Sequence, residues 1–379
     1  MIMGRNPKFN LLYGQFTSAL EHAMLKLPQV SKGKNFIERG QQFFDLLFGQ
    51  NYLEGDCSKY EGSQRLKLLK DVELRIWKAL LTSDEYDIIL QVFKSKLRKK
   101  GRTFNGISFD FWYCRGSGDM DTGLFNTLIM WLACRYFEKI NGTGNGNFCC
   151  DGDDNIIKLP NVVTEYVNTF SLFGLDAKLF KRSDYHDVNY CSGKFIQYNK
   201  GKFIYVQNVN KLMKNLPIFR KTIFSHCKGT YYHSLGFMYK KIYGEIPLFK
   251  EISDFLLRST PKNHISMEIL EELNPTHAEA FRNTAYDLDI DKDMCNIELA
   301  MCFTGNIANT QELVKWYNSH TISLSTAENK RFNPVKTKMR SRLLDNEIET
   351  VSQILDSACK VKTPKIYNTR YRTDLVTVN

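Results

Sequence analysis

Two adjacent carboxylates stand inside an otherwise apolar stretch of the chain. Residues 148–157 read Phe-Cys-Cys-Asp-Gly-Asp-Asp-Asn-Ile-Ile, with apolar residues on both sides of a Gly-Asp-Asp turn. This pattern predicts two short buried strands joined by a tight hairpin, with Asp153 and Asp154 at its tip. Because adjacent carboxylates repel each other, such a tip favours a bound cation. A solvated acidic turn is the alternative that this stretch alone leaves open.

A third carboxylate lies far upstream, at the end of another predicted strand. The segment Tyr-Leu-Glu-Gly-Asp ends at Asp56, and Glu61 follows shortly before a helical pattern. An antiparallel sheet that places this strand beside the hairpin would bring Asp56, Asp153 and Asp154 within reach of two divalent ions. Two-metal phosphoryl transfer needs such a cluster, and oxygen-only ligands suit Mg²⁺.

A glycine-rich loop leads into an apolar helical pattern. Residues 115–123 read Arg-Gly-Ser-Gly-Asp-Met-Asp-Thr-Gly, and Thr122 and Asn126 share one face of the predicted helix. Small hydroxyl and amide groups behind flexible glycines can bind a sugar or a phosphate. A capped helix, with Ser117 or Asp119 near its N-cap, is the alternative that the loop alone does not exclude.

The composition indicates a folded, basic chain. Its 379 residues suit two or three packed subdomains, and its net charge of +11 favours a polyanionic partner such as nucleic acid or an anionic membrane surface. The ten cysteines form no Cys-x-x-Cys pair and have no His cluster beside them, which indicates reduced thiols and no zinc site. The sequence contains no segment long and apolar enough to span a membrane.

Two stretches concentrate basic residues. Residues 94–102 carry six Lys and Arg, which form either a solvated helix end or a phosphate-contacting surface. Residues 326–379 are also basic, and their candidate RNA contacts are Lys330, Arg331, Lys336, Lys338, Arg340 and Arg342. A solvated surface is the alternative for this second stretch as well.

Further patterns predict the supporting elements. Pro160 is expected to open a helix that ends at Gly174. Residues 190–196 and 203–206 are expected to pair as a hairpin, and the pattern beyond residue 210 is helical.

Taken in order, these motifs resemble the palm of an RNA-dependent RNA polymerase of a positive-strand RNA virus. The matching patterns are Asp56-x4-Glu61, Ser117-Gly118-x3-Thr122-x3-Asn126 and Gly152-Asp153-Asp154. The Ser-Gly-Asp-Met-Asp-Thr form of the middle motif is similar to that of the tombusvirus- and carmovirus-like group. Weaker matches extend the resemblance to about residues 2–215: Arg5–Asn10 with the segment after the basic fingers motif, Gly174 and Lys178 with the fourth palm motif, and Tyr190–Phe195 with the primer-grip hairpin.

The resemblance implies a role for each matched residue. Asp56, Asp153 and Asp154 would be catalytic residues that bind two Mg²⁺ ions, for which Mn²⁺ can substitute. Lys178 would be the general acid for the departing pyrophosphate, and a polar contact to the 2′-hydroxyl would select ribonucleotides. The implied nucleotide-binding residues are Glu61, Ser117, Gly118, Thr122, Asn126 and Arg5, and the implied RNA-binding residues are Lys8 and Lys194.

The implied architecture is an α+β right-hand polymerase, with fingers, an antiparallel palm sheet and a mostly helical thumb. Fingers elements would come from residues 1–50 and 63–109, the palm from 51–62 and 110–200, and the thumb with its basic C-terminal segment from 201–379. The chain departs from the family in two respects. Glu61 stands where the family usually has Asp, and the family's upstream fingers are missing, so we expect a fragment of a longer replicase or a chain completed by another polypeptide.

The implied function is RNA synthesis from NTPs on an RNA template, which would replicate a viral genome. The partners would be template and nascent RNA, other replicase segments, and viral or host replication proteins in membrane-associated complexes of the host cytoplasm. Two alternatives stay open. One is a reverse transcriptase, which the Ser-Gly-x3-Thr-x3-Asn pattern opposes, and the other is a catalytically silent polymerase-fold fragment that binds RNA.

Overall fold

Four strands from distant parts of the chain form one antiparallel sheet, in the order β4-β5-β1-β6. The computed structural model describes residues 7–102, 106–161, 165–215, 227–261, 263–273, 282 and 288–322. Two further strand pairs, β2-β3 and β7-β8, are separate hairpins. The strands are β1 (Tyr52–Cys57), β2 (Arg98–Arg102), β3 (Ser108–Trp112), β4 (Phe148–Asp151), β5 (Asp154–Lys158), β6 (Ala177–Arg182), β7 (Gly193–Asn199) and β8 (Lys202–Gln207).

Helices make up most of the remaining regular structure. In chain order they are α1 (Pro7–Met24), α2 (Phe36–Leu47), α3 (Tyr60–Ser63), α4 (Leu66–Leu68), α5 (Arg75–Leu80), α6 (Ser83–Leu97), α7 (Thr122–Asn141), α8 (Val209–Asn215), α9 (Lys228–Tyr243), α10 (Phe249–Ser259), α11 (Met267–Leu273), α12 (Lys292–Leu299) and α13 (Ile307–Ser319). Wider π-turns occupy Leu69–Leu74 and Ala300–Thr304, and short 3₁₀ turns occupy Phe170–Phe173 and Tyr185–Asp187. None of the described helices is both long and apolar enough to cross a membrane.

The sheet separates two apolar cores, which explains the continuous apolar run of β4. Along that strand Phe148 and Cys150 pack into one core with α7, while Cys149 between them packs into the other core with β7, β8 and α9. Successive side chains of a strand point to opposite faces, so a strand covered on both sides must be apolar at every position. Strand β4 is therefore covered on both faces, whereas the edge strand β6 exposes Lys178, Phe180 and Lys181.

This mixed architecture with antiparallel sheets is the one expected of an α+β domain, while the division into fingers, palm and thumb remains a prediction. All the regular elements that the structure describes after β8 are helical, as expected. The hairpins β2-β3 and β7-β8 cross the expected boundaries at 109/110 and 200/201. Arg5 and the basic residues of 326–379 lie outside the described residues.

The prediction of a helix from Pro160 to Gly174 is wrong over residues 165–169, which are not helical. Residues 162–164 lie outside the described part of the chain. Instead the Asn141 side chain at the end of α7 pins this segment: its Oδ1 accepts from the Val167 N–H at 2.6 Å, and its Nδ2 donates to the Val167 carbonyl at 3.1 Å. Only the turn Phe170–Phe173 is helical, and Gly174 ends it with φ 73°.

Helix α2 packs on β8 so closely that one position must be glycine. A Cβ built on Gly40 would overlap the main chain of Phe203 and Ile204. We expect Gly40→Ala to lower the free energy of unfolding by about 1–3 kcal/mol, because the backbones must separate. Gly62→Ala is the matched control, since the atom nearest to its new Cβ would lie 3.8 Å away. Urea denaturation of both variants checks this, and equal midpoints would contradict it.

Candidate active site

The sheet brings the predicted acidic residues to one of its ends. Strand β1 lies between β5 and β6, with Gly55 opposite Asn155 and Asp56 opposite Lys178. One further step of the β1-β5 register places Asp56 opposite Asp154. Strands β4 and β5 are joined by the tight Gly-Asp turn that the sequence predicted, with Asp151 opposite Asp154. The structure therefore brings Asp56 next to Lys178 on the neighbouring strand, at the end of the sheet where β5 begins with Asp154.

A side chain of helix α7 holds the Gly-Asp turn by a hydrogen bond. Gly152 adopts φ 66°, a left-handed conformation that glycine takes without strain, and its N–H donates to Thr127 Oγ1 at 3.0 Å. Thr127 Oγ1 in turn donates to the Gly123 carbonyl at 2.8 Å. Sequence reasoning missed Thr127, although it directly follows Asn126 in the middle motif. The turn is therefore fixed relative to the loop that carries Ser117 and Thr122.

The acidic residues differ in exposure and in charge environment. Asp56 and Asp153 are exposed, whereas Asp154 is half-buried. Burial and repulsion by Asp153 raise the pKa of Asp154 to about 6, although the Cys191 main-chain N–H donates to its carboxylate. Burial also raises the pKa of Asp153, and the nearby carboxylates of Glu61 and Asp56 add to that shift. Negative charge is therefore concentrated at this end of the sheet.

These carboxylates offer the oxygen ligands that a divalent cation needs, but their side chains do not surround a common point. Within the described part of the chain, no group of three His, Cys, Asp or Glu side chains is already arranged to hold a metal ion. The side chains of Asp56 and Asp153 are exposed to solvent, and that of Asp154 is half-buried. Carboxylate oxygens that also leave space for water and phosphate fit Mg²⁺ better than a soft metal.

The amide of Asn126 is held by hydrogen bonds on both of its polar atoms. Its Nδ2 donates to Glu61 Oε1 at 3.2 Å, and its Oδ1 accepts from Gln64 Nε2 at 2.8 Å. Tyr60 also donates to the Asn126 main-chain carbonyl at 2.8 Å. Glu61 thus contacts Asn126 despite its additional methylene. Gln64, one turn after Glu61, is a residue that sequence reasoning missed.

Behind Gln64 lies a group of buried charges, the ion network of Glu73, Lys96, Arg115 and Asp121. Arg115 Nε donates to Gln64 Oε1 at 2.5 Å, and Arg115 also pairs with Glu73. Lys96 Nζ lies 2.7 Å from Glu73 Oε2 and pairs with Asp121, which accepts a 2.8 Å hydrogen bond from Tyr13. Burial would raise the pKa of Asp121, but attraction to Lys96 and Arg115 holds it below its usual range.

The glycine-rich loop is not capped in the way the alternative interpretation expected. The N-cap residue of α7 is Asp121, and its side chain makes no capping hydrogen bond. Asp119 Oδ2 instead accepts from the Gly116 N–H at 3.0 Å. Thr122 Oγ1 donates to the Gly116 carbonyl at 2.5 Å. The loop that carries Ser117 and Gly118 is thereby closed on itself.

The residues predicted to contact RNA differ in accessibility. Lys8 is exposed near the start of α1. Lys194 is only 7% exposed and donates to the main-chain carbonyl of His186, and burial lowers its pKa. This placement favours a structural role for Lys194 in the hairpin β7-β8. Both RNA contacts remain predictions.

Comparison with known proteins identifies a family and several viral replicases that this chain resembles. A family model of RNA-dependent RNA polymerases matches residues 7–225. The chain is 31% identical over 228 residues to the replicase large subunit of Tobamovirus Ob, and 29% identical over 228 residues to that of pepper mild mottle virus. The replicase large subunit of tomato brown rugose fruit virus is 27% identical over 224 residues. Each match covers 56% of this chain and 13% of the relative.

These relatives are tobamovirus replicases, so the expected tombusvirus- and carmovirus-like affiliation is not confirmed. The chain spans about an eighth of the length of these relatives. The family model, in contrast, covers more than half of the chain, including β1, α7 and the Gly-Asp-Asp turn. The chain belongs to the RNA-dependent RNA polymerase family of viral replicases.

Proposed function

We propose that this chain catalyses RNA synthesis on an RNA template, as the polymerase part of a viral replicase. One observation carries the proposal. In a chain of this family, β1 pairs with β5 as far as Gly55 opposite Asn155, so that Asp56 is the next residue towards the Gly-Asp-Asp turn. Fold membership alone would not support catalysis, whereas neighbouring strands that carry carboxylates at one end of a sheet do support it.

Asp56 and Asp153 would hold two Mg²⁺ ions, or Mn²⁺ ions, with Asp154 beside them. When bound, such ions lower the pKa of an attacking 3′-hydroxyl and stabilise the triphosphate and the departing pyrophosphate. The exposed carboxylates of Asp56 and Asp153 would turn towards each other on binding, since repulsion no longer opposes their approach. Lys178, opposite Asp56 on β6, would donate a proton to the pyrophosphate.

The glycine-rich loop and α7 would bind the incoming nucleotide. Ser117, Gly118 and Thr122 precede or open α7, and Asn126 lies one turn further, fixed by Glu61. An amide held on both atoms can present a fixed polar group to a ribose 2′-hydroxyl. Arg5 would lie near the triphosphate. Replication would take place in membrane-associated complexes of the host cytoplasm, together with other replicase segments.

The test is template-directed incorporation. RNA templates that differ only in the templating base are incubated with the chain, Mg²⁺ or Mn²⁺, and one labelled ribonucleotide or deoxyribonucleotide at a time. We expect addition of the complementary ribonucleotide alone. Preferential addition of deoxyribonucleotides would instead favour a reverse transcriptase, and RNA binding without any addition would favour a catalytically silent RNA-binding fragment.

Gln64 is expected to contribute to the preference for ribonucleotides over deoxyribonucleotides. Gln64→Met removes the donor to Asn126 Oδ1 and leaves a side chain of similar size. Loss of one such hydrogen bond costs about 1 kcal/mol, so we expect the preference for ribo- over deoxyribonucleotides to fall about tenfold or less. The measurement is kcat/KM for a matched NTP and dNTP on one template.

The control for this prediction is Gln41→Met, which removes an exposed glutamine whose side chain donates to Asp45 on the same helix. It should leave the sugar preference unchanged. If Gln64→Met lowered both rates equally, Gln64 would serve stability alone.

A further inference from the structure

The hairpin β2-β3 presents two chemically different faces. Its register places Arg98 opposite Trp112, Lys100 opposite Asp110, and Arg102 opposite Ser108. Because side chains alternate along a strand, these residues share one face, the basic face, defined here by Arg98, Lys100, Arg102 and Trp112. Phe109 and Phe111 stack on the opposite face, with ring centroids 5.5 Å apart.

The basic face combines an open aromatic ring with exposed cations. Trp112 is 47% exposed, and the guanidinium carbon of Arg98 lies 4.9 Å from its ring centroid. Asp110 holds that guanidinium by hydrogen bonds of 3.0 and 2.6 Å, so Arg98 supports the ring. Lys100 and Arg102 are exposed further along the same strand. An exposed indole ring beside cations provides both a surface on which a base can stack and charges that attract phosphate.

The hairpin is also anchored to the proposed active site. Lys99, between the exposed basic residues, is buried and donates to the Cys114 carbonyl at 2.6 Å. Its Nζ lies 3.5 Å from Asp119 in the glycine-rich loop. At the base, the Tyr113 N–H donates to the Leu97 carbonyl at 2.8 Å. A ligand on the basic face would therefore lie on an element joined directly to the loop of Ser117.

We propose that the basic face binds a stretch of unpaired RNA, with a base stacked on Trp112 and phosphates on Lys100 and Arg102. Cations that follow a strand suit a polyanion, and an open indole face suits a base that is not hidden in a duplex. The proposal rests on the proposed function only for the choice of RNA as the polyanion. The basic run at 94–102 is thus divided: Lys96 and Lys99 are structural, Arg98 supports the Trp112 ring, and Lys100 and Arg102 bind phosphates.

The test is binding of a fluorescein-labelled oligouridylate to the full chain, by anisotropy, without nucleotides or divalent ions. We expect Trp112→Ala to weaken binding about tenfold, as for a lost base stack. Lys100→Glu should reduce the slope of log K against log salt by about 0.7, the value for one lost phosphate contact on a single strand.

Two matched controls separate the basic face from its surroundings. Phe111→Ser alters the opposite face of the same strand at a residue of nearly equal exposure, 45%. Lys78→Glu reverses one exposed charge on α5, away from the hairpin. Both should bind RNA like the unmodified chain. Equal weakening by Phe111→Ser, an unchanged Kd for Trp112→Ala, or no RNA binding by the unmodified chain would overturn the proposal.

The outcome is separable from that of the proposed function. The binding assay contains no divalent ion, so oligouridylate binding in it does not depend on the proposed metal site. If polymerisation proves absent while Trp112→Ala still weakens binding, the RNA surface stands and the polymerase proposal fails. If ribonucleotides are incorporated and the hairpin variants bind RNA normally, the polymerase proposal stands and the proposed RNA surface fails.

Discussion

Replacing Asp153 with Asn is expected to reduce ribonucleotide incorporation by about a thousandfold or more, and to leave the fold unchanged. A divalent ion contributes several kcal/mol to transition-state stabilisation, and each 1.4 kcal/mol is a factor of about ten in rate. The side chain is exposed at the tip of a turn, so its amide analogue removes no packing. The measurement is the initial rate of labelled nucleotide addition on an RNA template, with circular dichroism to verify the fold.

The matched control is Asp71→Asn, an equal change of charge at an exposed aspartate on another element, paired only weakly with Arg75 at 3.7 Å. It should synthesise RNA at the unmodified rate. Full activity in Asp153→Asn, with the fold intact, would contradict the assignment of Asp153 as a metal ligand.

The second large effect is expected at Glu73, which has no direct contact with the proposed active site. Glu73 is fully buried and pairs with both Lys96 and Arg115. Glu73→Gln keeps the shape but leaves a positive charge uncompensated, which costs about 3–5 kcal/mol in a buried pair. We expect a large decrease of the urea midpoint, together with a loss of sugar selection, because Arg115 also holds Gln64.

Asp110→Asn breaks an exposed ion pair with Arg98 and serves as the control; its urea midpoint should hardly change. The double variant Glu73→Gln with Lys96→Met restores neutrality and should recover part of the lost stability. A Glu73→Gln midpoint equal to that of Asp110→Asn would show that the ion network contributes little to folding.

The hairpin of the Gly-Asp-Asp turn was predictable because it depends on local signals. Apolar runs on both sides of Gly-Asp-Asp predicted two short buried strands, and β4 and β5 confirm them. The same holds for the hairpin β7-β8, whose Gly201 adopts φ 70° in the expected turn. In each case the residues that decide the structure are neighbours in the sequence.

The ion network and the support of the turn depend on contacts between distant residues. Tyr13 and Asp121 are 108 positions apart, and no periodicity pairs them. Spacing likewise could not show that Lys96 would be buried while Arg98, two residues later, would be exposed. The expected helix after Pro160 failed for the same reason, since the side chain of Asn141 determines the path of the chain at Val167.

The most direct test of the central claim is iron-directed cleavage of the protein backbone. Fe²⁺ with ascorbate and peroxide produces hydroxyl radicals that cut the chain next to the bound ion. We expect cuts near Asp56 and near Asp153, both suppressed by excess Mg²⁺ and both absent in Asp153→Asn. Cuts near only one of these positions, or cuts that Mg²⁺ does not suppress, would contradict a shared divalent-cation site between β1 and the Gly-Asp-Asp turn.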